Sequence, residues 1–68
     1  MRIWTKATLK ILRAKRGYTA KALAEELGLS RQWWTDVENR RKSTSPQTTQ
    51  NVCRLLEAQF DELFEIEP

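Results

Sequence analysis

"ELGLSRQ", residues 26–32, is where two helical patterns meet with almost nothing between them. Upstream, Ala20, Leu23, Ala24 and Leu27 recur at i, i+3, i+4 and i+7, the spacing of one buried helix face. Thr19 stands in front of them as an N-cap, and Gly28 stops them. Downstream, Ser30 is an N-cap again, and a third helix runs from Arg31 to about Asn39. The joint is a glycine, one apolar residue and a capping serine, and so short a link makes the two helices cross steeply. Gly28 permits the tight exit, the small Ala24 lets the third helix approach the middle of the second, and Leu29 plugs the turn.

The same punctuation continues on both sides. A first helix is expected from about Thr5 to Arg16, with Ala7, Thr8, Leu9, Ile11 and Leu12 forming its apolar stripe and Gly17 as its C′ residue. "RRKSTS", residues 40–45, reads as a polar loop. Ser45 caps a fourth helix that has Pro46 at its first position and Thr49, Val52, Cys53 and Leu56 on its inner face. A fifth, short helix is expected around "DELFEI" from Asp61, with Leu63 and Phe64 turned inward. No segment alternates with period two for long enough to make a good strand, and no repeat or linker interrupts the chain.

Length and composition narrow the class. The 68 residues suit one domain, residues 1–68, with a thin core. One cysteine, Cys53, excludes an intrachain disulfide, and the lack of histidine excludes a usual Cys/His zinc site. No apolar run spans a membrane, and "MRIWTKATLK" is no signal peptide, so a cytoplasmic location is expected. The net charge is +3, distributed unevenly. Residues 1–21 carry seven bases and no acid, and residues 57–68 carry five acids and no base. A basic surface on a small domain points to a polyanion partner; an unevenly charged, merely solvated surface is the plain alternative. Catalysis finds no support: the chain has no histidine, phosphate-cradling glycine loop or nucleophile–base constellation, and the acid pairs Glu25/Glu26 and Asp61/Glu62 read as solvated faces. No cofactor or metal is expected.

The joint at 26–32 makes a helix-turn-helix over residues 19–39. "LRAKRGYTAKALAEELGLSRQWWTDVENRRK", residues 12–42, resembles the phage-repressor and Cro-type helix-turn-helix family, and the likeness continues through "SPQTTQNVCRLLEAQFDELF". The resemblance implies an all-α, compact five-helix, lambda-repressor-like domain that binds double-stranded operator DNA as a homodimer, with the third helix in the major groove.

On a wheel turning about 100° per residue, Trp33, Trp34 and Val37 share one sector of the third helix. Arg31, Gln32, Thr35, Asp36 and Asn39 occupy the other side. That polar side carries donors and acceptors of the kind that read base edges. By family position, Arg31, Gln32 and Asp36 match base-contacting places, and Thr35 is a further candidate. Asp36 either accepts from cytosine or orients Arg31 or Arg40. Phosphate contacts are expected from Thr19 and Lys21 at the start of the second helix, and from Asn39, Arg40, Arg41 and Lys42 after the third. The family often has a glutamine where Ala20 stands and a glycine where Arg40 stands.

Arg13 and Glu38 match the family's structural ion pair between the first and third helices. Trp34 occupies the family's apolar anchor position, oversized, so that either the third helix sits further from the second than is usual or small neighbours such as Ala20 and Ala24 admit it. Trp33 lies at the border of the apolar face, where its indole N–H can meet a phosphate. Leu63, Phe64 and Ile66 are expected at a dimer seam. The function expected is a transcriptional repressor on a pseudo-palindromic operator; the alternative is a protein-interaction module of the antitoxin kind, with a protein partner.

Overall fold

The computed structural model describes residues 1–68. In chain order the elements are β1 (Arg2–Thr5), α1 (Ala7–Lys15), α2 (Ala20–Leu27), α3 (Arg31–Glu38), α4 (Pro46–Leu56), α5 (Phe60–Leu63) and β2 (Phe64–Glu67). The five helices stand close to their expected places, and the starts of α2, α3 and α4 each have a local cause. Thr19 Oγ1 accepts from the Ala22 amide at 3.0 Å, Ser30 Oγ from Trp33 at 3.1 Å and Ser45 Oγ from Thr48 at 3.2 Å. Each hydroxyl satisfies an amide that the first helical turn leaves without a partner.

The ends are equally uniform. The amide of Tyr18 donates to the Arg13 carbonyl, Leu29 to Ala24, Arg41 to Asp36 and Ala58 to Cys53. Each closes the last turn of its helix across five residues, the Schellman pattern. The residue before each of these donors has positive φ: Gly17 at 84°, Gly28 at 72°, Arg40 at 60° and Glu57 at 55°. Two of the four ends therefore use glycine, and two hold an L side chain in the left-handed region.

The departure from an all-helical chain lies at the termini. β1 and β2 form a two-stranded antiparallel sheet, with Arg2 opposite Glu67, Ile3 opposite Ile66, Trp4 opposite Glu65 and Thr5 opposite Phe64. Thr5, expected at the head of the first helix, is a buried strand residue whose hydroxyl donates to the Val37 carbonyl at 2.9 Å. The expected "DELFEI" helix ends at Leu63, and its remainder is strand. On the other side of β1, Thr44 bridges Ile3 with its amide 3.0 Å from the Ile3 carbonyl.

The core comprises Ile3, Leu9, Leu23, Ala24, Trp34, Val37, Val52, Leu56, Leu63 and Phe64. Trp34 is its largest member and is fully buried. Ala24 is buried in the same cluster, and Ala20 packs against it. Ile11, placed on the apolar stripe by its spacing, is instead 58% exposed. No helix is long and apolar enough to cross a membrane.

Much of the basic N-terminal charge serves the fold. Lys6 Nζ donates to the Asp61 carbonyl at 2.6 Å, Lys10 Nζ to Asn39 Oδ1 at 2.7 Å and Arg16 Nε to the Leu56 carbonyl at 2.9 Å. The Arg16 guanidinium and the Lys6 ammonium reach backbone carbonyls of α4 and α5, where positive charge near a helix C-terminus is favourable, while Lys10 ties α1 to the residue after α3.

Candidate nucleic-acid interface

α3 is the centre of the site because its two sides differ in chemistry. Trp34, Val37 and Glu38 are buried, while Arg31 and Gln32 in its first turn are exposed. Thr35 and Asp36 on the second turn are half-buried. α2 supports the helix from behind through Leu23 and Ala24, and the left-handed Gly28 turns the chain from one helix into the next.

Glu38 is held from two directions. Arg13 Nε donates to Glu38 Oε2 at 2.8 Å and Nη2 to Oε1 at 3.1 Å, a forked pair between α1 and α3. Arg13 Nη1 also donates to the Tyr18 carbonyl at 3.0 Å. Trp34 Nε1 donates to Glu38 Oε2 at 2.6 Å. The carboxylate lies in the core border with both oxygens hydrogen-bonded and a guanidinium as its partner, the condition under which a buried charge is tolerated.

The polar side of α3 has its own network. Gln32 Nε2 donates to Asp36 Oδ1 at 3.1 Å. Arg41 Nη1 lies 3.9 Å from Asp36 Oδ1, and Lys42 Nζ 3.8 Å from Asp36 Oδ2. Asp36 therefore faces Gln32 and the cations of the following loop; Arg31 and Arg40, its expected partners, are not among its contacts. Trp33 packs at the edge of the core, and Lys42 Nζ sits 5.7 Å from its ring centroid. A shallow hollow beside it is lined by Leu29, Trp33, Ser43, Thr44, Ser45 and Thr48.

The expected phosphate-contacting residues divide into two groups. Thr19, Lys21, Arg41 and Lys42 are exposed around the ends of α2 and α3. Asn39 is exposed too, but its side-chain carbonyl accepts from Lys10. Arg40 departs from the expected loop cluster. Its left-handed backbone turns the side chain toward the sheet, where Nη1 donates to the Thr5 carbonyl at 2.8 Å. Nη2 stands 3.6 Å from Glu65 Oε1, and the guanidinium carbon lies 5.8 Å from the Trp4 ring centroid. Local spacing carries no signal for this contact, because Thr5 and Glu65 are remote in sequence.

The expected dimer seam also divides. Leu63 and Phe64 are each 1% exposed and belong to the monomer's core, with the Phe64 ring stacked on Phe60 at 5.5 Å between centroids. Burial within one chain removes both from a seam; Ile66, at 51% exposure, remains on the surface.

A polar helix presented on a glycine-jointed partner helix, with cations at its margins, defines a helix-turn-helix binding module. A family model described as a helix-turn-helix domain matches residues 7–65, and the chain belongs to that family. The family is non-enzymatic. Among solved structures, the chain is similar to the clp gene regulator ClgR from C. glutamicum, known from a crystal structure. The two share 32% identity over 82% of this chain and 73% of that one, with a TM-score of 0.71. No curated protein matches the chain.

Proposed function

We propose that this chain is a sequence-specific DNA-binding transcription regulator of the phage-repressor/Cro type, reading the major groove with α3. The observation that carries this reading is the exposure of Arg31 and Gln32 on the first turn of a helix whose opposite face is locked into the core. An arginine matches the paired acceptors of guanine and a glutamine the donor–acceptor pair of adenine. Membership of the helix-turn-helix family and the likeness to a protein described as a gene regulator support the same reading.

Phosphate contacts are assigned to Thr19, Lys21, Arg41 and Lys42, with the Trp33 indole N–H and Asn39 beside them. Contacts of this kind set register and orientation and carry no sequence information themselves. Binding alone suffices to block a promoter, so repression is the mode proposed. A homodimer on a pseudo-palindromic operator places two copies of α3 about one helical turn apart, with Ile66 the exposed apolar residue near the C-terminus available to the seam.

Selection of bound duplexes from a random pool tests the reading. The expected result is an enriched motif of two half-sites spaced by roughly 10 base pairs. A pool that returns no enriched sequence overturns it.

A further inference from the structure

Asp36 lies one helical turn beyond Gln32, with a side chain only 15% exposed. It receives the Gln32 amide nitrogen at 3.1 Å while Arg41 and Lys42 approach from the loop side. An ionised carboxylate accepts hydrogen bonds and donates none. A glutamine amide left to itself rotates freely and presents either its oxygen or its NH2 group to a ligand. Beside Asp36 that freedom is lost, because the rotated amide would set Oε1 against a carboxylate oxygen. One N–H is committed to Asp36. The outward edge of Gln32 keeps one N–H donor next to the Oε1 acceptor.

That pair complements one base. Adenine offers an N7 acceptor and an N6 donor in the major groove, whereas guanine offers two acceptors, N7 and O6. Against guanine, the Gln32 oxygen meets O6 with no proton between them. We propose that Asp36 is a positioning residue that makes Gln32 a reader of adenine and excludes guanine, without itself touching a base. This inference rests on the DNA-binding reading above. It also gives the acid a place beside a polyanion: its charge is partly offset by Arg41 and Lys42, and its geometry acts through Gln32.

The test compares the wild type with Gln32→Ala, Asp36→Ala and Asp36→Glu. Each is titrated with the selected duplex and with duplexes carrying guanine in place of adenine at each position. The expected wild-type preference at the Gln32-dependent position is roughly 5- to 150-fold for adenine. Asp36→Ala should reduce that ratio to about threefold or less, while the position that depends on Arg31 keeps its preference. Asp36→Glu, which retains an acceptor-only carboxylate one turn from Gln32, should restore the ratio. A purely structural role for Asp36 would weaken all duplexes alike, and a ratio measured within one protein is insensitive to that. Should Asp36→Ala not fold, Asp36→Asn replaces it, since its amide can meet Gln32 in either orientation and should show the same loss. An unchanged adenine preference without the carboxylate overturns the inference, as does a Gln32→Ala protein whose preferences match the wild type at every position. Both results leave the DNA-binding reading standing. A wild type with no enriched duplex removes that reading and this inference with it.

Discussion

Trp34 donates its indole N–H to Glu38 at 2.6 Å across one turn of α3, and that same carboxylate is the one clamped by Arg13 from α1. The largest core side chain and the inter-helix ion pair are thus one unit. The orientation of α3 depends on it from both sides: apolar packing against α2 and a charged tie to α1.

Removing Arg13 should therefore act on stability before it acts on binding. Arg13→Ala leaves the Glu38 carboxylate, only 4% exposed, without its cation. Breaking a buried pair in this way costs roughly 3 kcal/mol or more, which in a domain of this size lowers Tm by roughly 10–20 °C. Trp34→Phe keeps most of the ring but removes the N–H, for a loss of about 1–2 kcal/mol. Thermal melts followed by circular dichroism measure both. If Arg13→Ala melts like the wild type and loses only duplex affinity, Arg13 is a phosphate contact instead.

The two non-glycine left-handed residues should respond differently to glycine. Glu57 holds φ at 55° and is exposed, with no side-chain tie to offset the strain. Glu57→Gly should stabilise by about 1 kcal/mol. Arg40 carries similar strain, but its guanidinium holds Thr5, Glu65 and the face of Trp4. Arg40→Gly relieves the backbone and loses those contacts, so its net change should be close to zero. Arg40→Ala loses them without relief and should cost about 1–2 kcal/mol. Urea midpoints separate the three. Neither Arg40 variant should change the salt dependence of duplex binding as a phosphate contact would.

These ends show which parts of the fold local sequence could reveal. Thr19, Ser30 and the Ser45–Pro46 pair mark helix starts by their own chemistry, and Gly17 and Gly28 mark stops. Arg40 and Glu57 carry no such mark, because their conformations are held by neighbours rather than by residue type. The strands were illegible for a related reason. "RIWT" and "FEIE" are four residues each, and Ile66, which alternation places on the same face as Phe64, is 51% exposed, so the second strand shows no alternation in burial. What stabilises them is pairing between the two ends of the chain, a non-local contact. The candidate interface was more legible. The wheel separates Trp34 from Arg31 and Gln32, but it carries no information that Asp36 meets Gln32 rather than an arginine, or that Arg40 turns to the sheet.

Cys53 supplies a prediction in pH. Burial, and then the Glu62 carboxylate, raise its thiol above the ordinary 9.0. Below that value both folded and unfolded chains hold the proton, and Cys53 adds no pH dependence. As pH rises through the ordinary value, the unfolded thiol ionises first, so the unfolded state gains and stability falls. Urea midpoints at about pH 8 and about pH 10 should therefore drop more in the wild type than in Cys53→Ala. Equal drops would mean that the thiol ionises alike in both states.

Finally, the division between base and phosphate contacts makes opposite demands on two cations. Arg31 stands on the exposed first turn of α3, whereas Lys42 lies in the loop after it, close to Asp36 and Trp33. Arg31→Ala should relax specificity at one base position by roughly 1–3 kcal/mol and leave the preferences elsewhere intact. Lys42→Ala should weaken all duplexes evenly and reduce the slope of log affinity against log salt by about 1. Its pairing with Asp36 makes the loss smaller than for a free lysine, because part of that charge is already neutralised within the protein. Titrations of each variant on the selected site, its single-base variants and an unrelated duplex, at several salt concentrations, read both effects at once. If the two variants lose affinity in the same pattern, Arg31 is also a backbone contact, and the reading of bases falls to Gln32 and its neighbours on the second turn.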